Sequence, residues 1–235
     1  MVVDTGFVTG SDRVVQVLGS APIPPVERHP AGIGIDWLRA HVARFCDGSA
    51  HVRRRALVVA ELDRLDGAIL RERAGALAAE PLAHIRVLAD CLGLSDVSPE
   101  AVEVVGAHYL PPAAPTPAAD QAVAELVRAC GGVADERTAA RICVLVQACA
   151  SVRALVGNAE RCAGGGSPEQ VLDRTLRDDP PIRRTRRMIG GVVAEVDLDG
   201  LPFGAGPHAC PGRDPALALA TGMLAGRAAR RGDHE

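Results

Sequence analysis

A cysteine in a glycine-rich segment is the feature of this sequence with the clearest chemical potential. The segment spans residues 203–212, reads FGAGPHACPG, and is followed at once by a predicted helix. A thiolate that ligates haem iron must lie on a rigid loop whose backbone N–H groups point at the sulfur and tune its electron donation. Glycines allow the backbone to come that close, and a helix that begins just after the cysteine stabilises the thiolate with its dipole. Cys210 is therefore a candidate axial ligand to iron.

A second group of candidate residues begins a predicted helix much earlier in the chain. The segment 47–55 reads DGSAHVRRR, and its His51 and Arg55 are four residues apart, so that they share one helix face. An imidazole and a guanidinium on one face suit a ligand with two carboxylates, because arginine can bind a carboxylate through two hydrogen bonds. Without other evidence, such a pair is more often part of a solvated surface.

These segments resemble the cytochrome P450 family. The segment 203–212 has every fixed position of the family's haem-binding loop, FGxGxHxCxG. The segment 47–55 is similar to the start of the family's C helix, 81–94 is similar to its E helix, and 179–187 is similar to the stretch that follows its K helix. The resemblance covers nearly the whole chain, in fragments.

The resemblance implies that the protein binds haem b and that Cys210 is the axial ligand of the iron. In the family, the positions that match His51, Arg55, Arg187 and His208 contact the haem propionates. The full set of cofactor contacts that the resemblance implies is His51, Arg55, Ala148, Arg187, Phe203, Gly204, His208, Cys210 and Gly212.

The sequence departs from the family where the family activates dioxygen. The segment 144–151 lies in a predicted long helix that resembles the family's I helix, and Ala150 stands where the family has an acid. Ser151 keeps a hydroxyl, so Ser151 and Gln147 are the candidate catalytic residues. Loss of the carboxylate removes the usual proton donor, which is worth about 10²–10⁴ in rate. The glutamate of the family's ExxR motif is also missing, because Arg174 takes its place.

These departures disfavour ordinary reductase-driven monooxygenation and leave three functions open. The first is a haem–thiolate oxidoreductase, or a haem-dependent isomerase or dehydratase. It would act on a small metabolite or peptide with peroxide or through an already activated N–O or O–O bond. The second is a non-catalytic haem sensor. The third is an accessory protein for a partner biosynthetic enzyme, although the intact Cys210 counts against it.

The segment between the E-like and I-like helices, where the family has its lid, is short and rich in proline. A reduced lid predicts an open pocket, or a pocket completed by a homodimer or a partner enzyme. The sequence leaves the redox partner open.

The composition disfavours several other classes of protein. The 235 residues carry a formal charge of −3 and 2% aromatic residues, so we expect neither a field for polyanions nor platforms for base stacking, and no nucleic-acid partner. Seven cysteines without CxxC spacing predict neither a disulfide framework nor a zinc ribbon. We predict no signal sequence and no membrane span, which favours a soluble cytoplasmic protein.

The elements that must position these residues are predicted to be mainly helical. The sequence predicts a mainly α fold with minor β, and the resemblance makes it a truncated P450-like helical fold around a haem. We expect one domain, 1–235. Its parts are a short strand and B-like helix at 4–20, C- and E-like helices at 50–94, an I-like helix at 134–162, and the cysteine loop with a last helix at 202–230.

Local signals give finer predictions. Asp12 is predicted to cap the first helix, and 37–45 is predicted to form one short helix. The segment 50–79 is predicted to be one long helix with a break near Gly67, and 191–198 a strand.

Overall fold

The described part of the chain is mainly helical and has one small sheet, which confirms the predicted fold class. The computed structural model describes residues 6–26, 32–162 and 164–232. Within these ranges the helices are α1 (Ser11–Ser20), α2 (Ile35–His41), α3 (Gly48–Leu62), α4 (Gly67–Ala76), α5 (Ala83–Cys91), α6 (Pro99–Tyr109), α7 (Pro117–Ala129), α8 (Glu136–Arg161), α9 (Pro168–Asp178) and α10 (Arg213–Gly232). The strands are β1 (Phe7–Val8), β2 (Arg184–Ile189) and β3 (Val192–Asp197). Short 3-10 helices occupy Ala43–Phe45 and Gly206–His208.

Side-chain caps explain where several of these helices begin. An acidic or hydroxyl side chain before the first turn accepts a hydrogen bond from a backbone N–H group that has no partner within the helix. The capping residues of α4, α6, α7, α8 and α9 are Asp66, Ser98, Thr116, Asp135 and Ser167. Proline at the start of α6, α7 and α9 reinforces the same boundaries.

The main core forms where α8 packs against the helices around it. α8 contacts α3, α5, α6, α7, α9 and α10, and it buries Ile142, Leu145 and Val156 among them. By length and composition, with a mean hydropathy of 1.6, α8 would also suit a membrane span. However, 61% of its most apolar window is buried inside the fold, which is the pattern of a core helix.

A buried carboxylate fastens α3 to α8. The side chain of Glu61 on α3 is 3% exposed, and it accepts hydrogen bonds from Arg64 at 2.6 Å, Arg137 at 3.3 Å and Arg141 at 3.0 Å. Burial raises the pKa of Glu61, but the hydrogen bonds and charges of these arginines outweigh burial and leave the pKa below its ordinary value. In this cluster the chain supplies both the cations and their anion.

The small sheet has the strand order β1-β3-β2 and carries a second hydrophobic core. β1 runs parallel to β3, while β2 and β3 form an antiparallel hairpin in which Arg187 is paired with Ala194. Gly190 and Gly191 both have positive φ angles at the turn, as a two-residue type I′ hairpin requires. α1 packs on this sheet and also contacts the 3-10 helix Gly206–His208, so the sheet and the cysteine loop share one support.

Two of the local predictions are wrong for reasons of backbone geometry. Asp12 does not cap the first helix, because α1 already begins at Ser11 and Asp12 lies within its first turn. The segment 37–45 is not one helix, since Val42 has an extended backbone and separates α2 from the 3-10 helix that follows.

Two further regions differ from the prediction in extent. The predicted break near Gly67 in the helix over 50–79 is confirmed, because α3 ends at Leu62 and Asp66 caps α4, which begins at Gly67 and ends at Ala76 rather than at residue 79. The strand predicted at 191–198 is confirmed as β3, but its partner β2 was not predicted. Residues 4 and 5 of the first predicted strand lie outside the described residues.

Candidate functional site

The cysteine loop is held in shape by its own backbone. The N–H of Cys210 donates to the carbonyl of Phe203 at 2.8 Å, which closes the loop around the glycines. Gly206 has a φ of +70°, and a Cβ atom there would lie 2.8 Å from the carbonyl oxygen of Leu18 in α1. Only glycine fits this position, because a side chain would have both a strained backbone and a clash.

Two more glycines and an aromatic contact complete the loop. Gly204 has a φ of +69° and donates its N–H to the carbonyl of Leu201 at 2.8 Å. Gly212 directs its N–H at the sulfur of Cys210. The guanidinium of Arg213 lies over the ring of Phe203, 5.6 Å from its centroid.

Cys210 differs from the other cysteines in the environment of its sulfur. It is solvent-exposed, whereas three of the others are buried and the remaining three are half-buried. The protein around the thiol excludes part of its water and raises its pKa, while the N–H of Gly212 and the charges of Arg55 and Arg44 act in the opposite direction. A reachable sulfur with a backbone donor and nearby cations suits a thiolate that serves as a metal ligand.

Two imidazoles from distant parts of the chain meet beside the loop. The ring centroids of His51 and His208 are 3.9 Å apart, and Nε2 of His208 donates to Oδ1 of Asp47 at 3.1 Å. Burial lowers the pKa of His51, and the charge of Arg55 lowers it further. Burial also lowers the pKa of His208, and this effect outweighs the hydrogen bond to Asp47. Both rings are therefore favoured in their neutral form.

Arg187 brings a buried cation to the same place from β2. Its side chain is 4% exposed, and its Nη1 donates to Oγ1 of Thr185 at 3.3 Å and to the carbonyl of Arg186 at 2.9 Å. Its Nε is buried and has no hydrogen-bond partner among the described residues. Burial lowers the pKa of Arg187, whereas the charge of Asp47 raises it. A buried guanidinium with an unused N–H is costly unless an anion reaches it.

The arginines around Cys210 have no anion of their own. Within residues 6–26, 32–162 and 164–232, the side chains of Arg44, Arg55 and Arg187 form no ion pair with a carboxylate. In contrast, Arg53 and Arg54, neighbours of Arg55 on α3, both bind Glu136.

A haem b group fits these residues. Its two propionates are the anions that Arg55 and Arg187 lack, the imidazoles of His51 and His208 lie beside them, and the exposed thiol of Cys210 is a ligand for its iron. A cleft of about 320 Å³ reaches the two imidazoles and is lined by residues of α1, α3, the cysteine loop and the segments next to them, among them Ser20, Pro22, Asp47, His51, Val52 and His208.

The candidate catalytic residues lie on one half-exposed stripe of α8. Nε2 of Gln147 donates to the sulfur of Cys143 at 2.9 Å, and Oγ of Ser151 donates to the carbonyl of Gln147 at 2.7 Å. Ala148 is half-buried on the same helix, and Ala150 is exposed. The stripe thus offers the hydroxyl of Ser151, which is hydrogen-bonded to the backbone. Ala150, at the position that matches the family's acid, has only a methyl group.

Arg174, at the position of the family's glutamate, has a local role. Its Nη2 donates to the carbonyls of Gly164 and Gly165 at 3.1 and 3.0 Å. It therefore binds the turn that precedes α9, and no glutamate–arginine pair is rebuilt at this position.

The structure brings His51, Arg55, Arg187 and His208 to the loop that carries Cys210. It places Gln147, Ala148 and Ser151 on the separate surface of α8.

Two further residues take part in the site and were not predicted. Asp47 binds His208 through one oxygen and accepts the N–H of Ile23 at 2.9 Å through the other. Its place just before α3 could have suggested only a helix cap. Arg44 connects the two surfaces, since its Nη1 donates to Oε1 of Gln147 at 3.1 Å. Nothing in the sequence around Arg44 signals this contact.

The sequence matches no family model and no curated protein. The fold, however, is similar to that of several solved structures. The structure of P450BioI in complex with an acyl carrier protein ligated to hexadec-9Z-enoic acid aligns with 96% of this chain and 85% of its own, at 13% identity and a TM-score of 0.59. A mutant of CYP105P1 aligns with 96% of this chain and 82% of its own, at 14% identity and a TM-score of 0.57. CalO2 aligns with 94% of this chain and 82% of its own, at 15% identity and a TM-score of 0.51. The chain is therefore a divergent, shortened protein with the cytochrome P450 fold.

Proposed function

We propose that the protein binds haem b through the thiolate of Cys210 and is a haem–thiolate enzyme that acts on a small metabolite or peptide. The observation that carries the proposal is the uncompensated positive charge beside an exposed thiol. Arg187 is buried with an unused Nε, and Arg55 has no carboxylate partner in the described ranges. These groups match the two carboxylates and the iron of one haem.

The residues of the chain divide the task of holding this cofactor. His51, Arg55, Arg187 and His208 bind the propionates, and the 3-10 turn at Gly206 fixes the height of the loop against α1. The N–H of Gly212 holds negative charge on the sulfur of Cys210 and so tunes its donation. When bound, haem supplies redox chemistry at an iron whose electron density the thiolate raises.

The surface of α8 supports a reaction that does not need a carboxylic acid relay. Ser151 holds its proton on a hydrogen bond to the carbonyl of Gln147, and the exposed Ala150 can neither donate nor accept one. A reaction with peroxide, or a rearrangement of a substrate that already contains an N–O or O–O bond, needs less proton delivery from the protein. We therefore favour these reactions over reductase-driven monooxygenation.

A haem sensor is the second candidate, and the same alanine favours it. A protein that only binds haem and a diatomic ligand needs no proton donor on α8. Titration with hydrogen peroxide, with and without candidate substrates, distinguishes the two functions. Turnover of a substrate supports the enzyme, whereas bleaching of the haem without turnover supports the sensor.

Reconstitution with hemin tests the central proposal. We expect the wild type to bind one haem and to give, when reduced under CO, the long-wavelength band that a thiolate ligand produces. Cys210→Ala should lose this band, while Cys91→Ala, which changes a half-buried cysteine on α5, should keep it. A protein that stays colourless after hemin is added, or a Cys210→Ala variant with an unchanged band, contradicts the proposal. Size-exclusion chromatography of the haem-loaded protein tests whether a homodimer completes the short lid.

A further inference from the structure

Arg44 is the arginine of the site to which the proposed haem propionates assign no role. It belongs to the 3-10 helix Ala43–Phe45, its side chain is exposed, and it has no carboxylate partner among the described residues. Its hydrogen bond leads to Gln147 on α8, whereas the charges of Arg187 and His208 lie close to Asp47 at the start of α3. Arg44 thus lies on the α8 side of the site, apart from the imidazole pair.

Gln147 is oriented so that Arg44 is held in place. The amide nitrogen of Gln147 donates to the sulfur of Cys143 at 2.9 Å, and Cys143 in turn lies 3.4 Å from the hydroxyl of Tyr109. Both Cys143 and Tyr109 are buried, so this end of the chain of contacts is fixed. The amide oxygen of Gln147 is thereby left to accept from Arg44, which keeps its remaining N–H groups free to bind another acceptor.

The charge of Arg44 acts on groups beside α8 and on the sulfur of the cysteine loop. It lowers the pKa of the buried Tyr109 and Cys143 beside α8, against the larger effect of burial, and it also opposes the rise in the pKa of Cys210. The charge of Arg44 also repels the charge of Arg187 and lowers the pKa of Arg187. Because like charges repel, an anion bound to Arg44 would relieve this repulsion.

We infer that Arg44, held by Gln147, is the recognition site for a carboxylate group of the substrate. This inference rests on the proposed haem-binding function and adds the substrate class. The carboxylate binds the free N–H groups of Arg44, and the body of the substrate lies along the half-exposed stripe of α8 that includes Ala148, Ala150 and Ser151. The stripe has small side chains, which leave room beside the helix.

The test is titration of the haem-loaded protein with matched probes that differ in charge. The probes are benzoate and hexanoate, each paired with its neutral amide, and binding is measured by calorimetry and by the change in haem absorbance. We expect each carboxylate to bind about 10-fold or more tightly than its amide, as a charge-assisted hydrogen bond predicts. The preference should shrink as the salt concentration is raised.

Variants of Arg44 show whether this residue causes the preference. Arg44→Gln should still load haem and should lose the preference for carboxylates, and Arg44→Lys should recover part of this preference. Arg128→Gln is the matched control, because Arg128 is an exposed arginine on α7 that also has no carboxylate partner in the described ranges. This variant should retain the full preference.

The outcomes separate this inference from the proposal on which it rests. Failure to load haem is visible in the absorbance before any probe is added, and it overturns both. Normal loading with equal binding of carboxylates and amides overturns only the inference. A loss of haem in Arg44→Gln would assign Arg44 to the cofactor and overturn the inference as well.

Discussion

The Glu61 cluster and the cleft at Cys210 use the same kind of side chain with opposite results. At Glu61, three guanidiniums converge on one buried carboxylate that the chain itself provides. At Cys210, three guanidiniums have no carboxylate partner in the described ranges, and one of them is buried with an unused N–H. The first arrangement stabilises the packing of α3 on α8. The second arrangement destabilises the fold because charge is left without a partner, and a bound anion would remove that destabilisation. Uncompensated buried charge of this kind is what a site for an anionic ligand requires.

The largest expected loss of stability comes from removing the carboxylate of the Glu61 cluster. Glu61→Gln leaves three arginines around a neutral amide and should lower the free energy of unfolding by about 3 kcal/mol, as the loss of one partner of a buried ion pair does. Denaturant titration of the protein without haem measures it. Glu103→Gln is the matched control, since its exposed pair with Arg153 should contribute much less. Equal effects of the two substitutions would show that the Glu61 cluster stabilises the fold no more than an exposed ion pair does.

The next effect concerns the buried cation of the other region. Arg187→Met should leave the stability of the haem-free protein unchanged or raise it, because it removes an unsatisfied buried charge. The same substitution should weaken haem binding by about 10- to 100-fold, because a charge-assisted hydrogen bond is lost. Stability is followed by denaturant titration and haem affinity by transfer to a competing haem-binding protein. A variant that is destabilised as strongly as Glu61→Gln would show that Arg187 is structural.

The pH dependence of stability should also separate the two regions. The folded-state pKa values of His51 and His208 are below the ordinary 6.5, so the unfolded chain binds more protons in this range. The two histidines should therefore add their full contribution to the free energy of unfolding above pH 6.5, and this contribution should fall as the pH drops below 6.5. The lowered pKa of Glu61 has an effect only when pH falls below its ordinary 4.5.

Unfolding titrations at a series of pH values measure this dependence. His208→Asn should reduce the slope just below pH 6.5, and a residual slope should remain from the buried His84, whose pKa burial also lowers. A slope that is unchanged in His208→Asn would show that the imidazole pair does not carry the effect.

The smallest effect is expected at a half-buried carboxylate near the surface that binds two arginines. Glu136 binds Arg53 and Arg54 at 2.8 and 2.9 Å, and these contacts lower its pKa to about 2. Because Glu136 is 24% exposed, whereas Glu61 is 3% exposed, Glu136→Gln should destabilise the protein less than Glu61→Gln, and the difference from wild type should shrink at high salt. A loss as large as that of Glu61→Gln that persists in salt would mean that burial does not distinguish these clusters.

Local sequence signals predicted the elements whose boundaries neighbouring residues define. The helix predicted at 134–162 is α8, and Asp135 directly before it caps its first turn. Such signals failed where the deciding contact lay elsewhere in the chain. β2 was missed because an arginine-rich segment becomes a strand only when β3 is beside it, and the burial of Arg187 likewise depends on neighbours that are distant in the sequence.

The sequence by itself determined the helical class and the turns of the cysteine loop, because glycines, caps and the loop act within a few residues of one another. Only the tertiary structure decided that His208 binds Asp47, that Arg44 binds Gln147, and which arginines are left without an anion. Those facts depend on how helices and sheet pack, since whether a charge is neutralised is a property of three-dimensional neighbours and not of residue type.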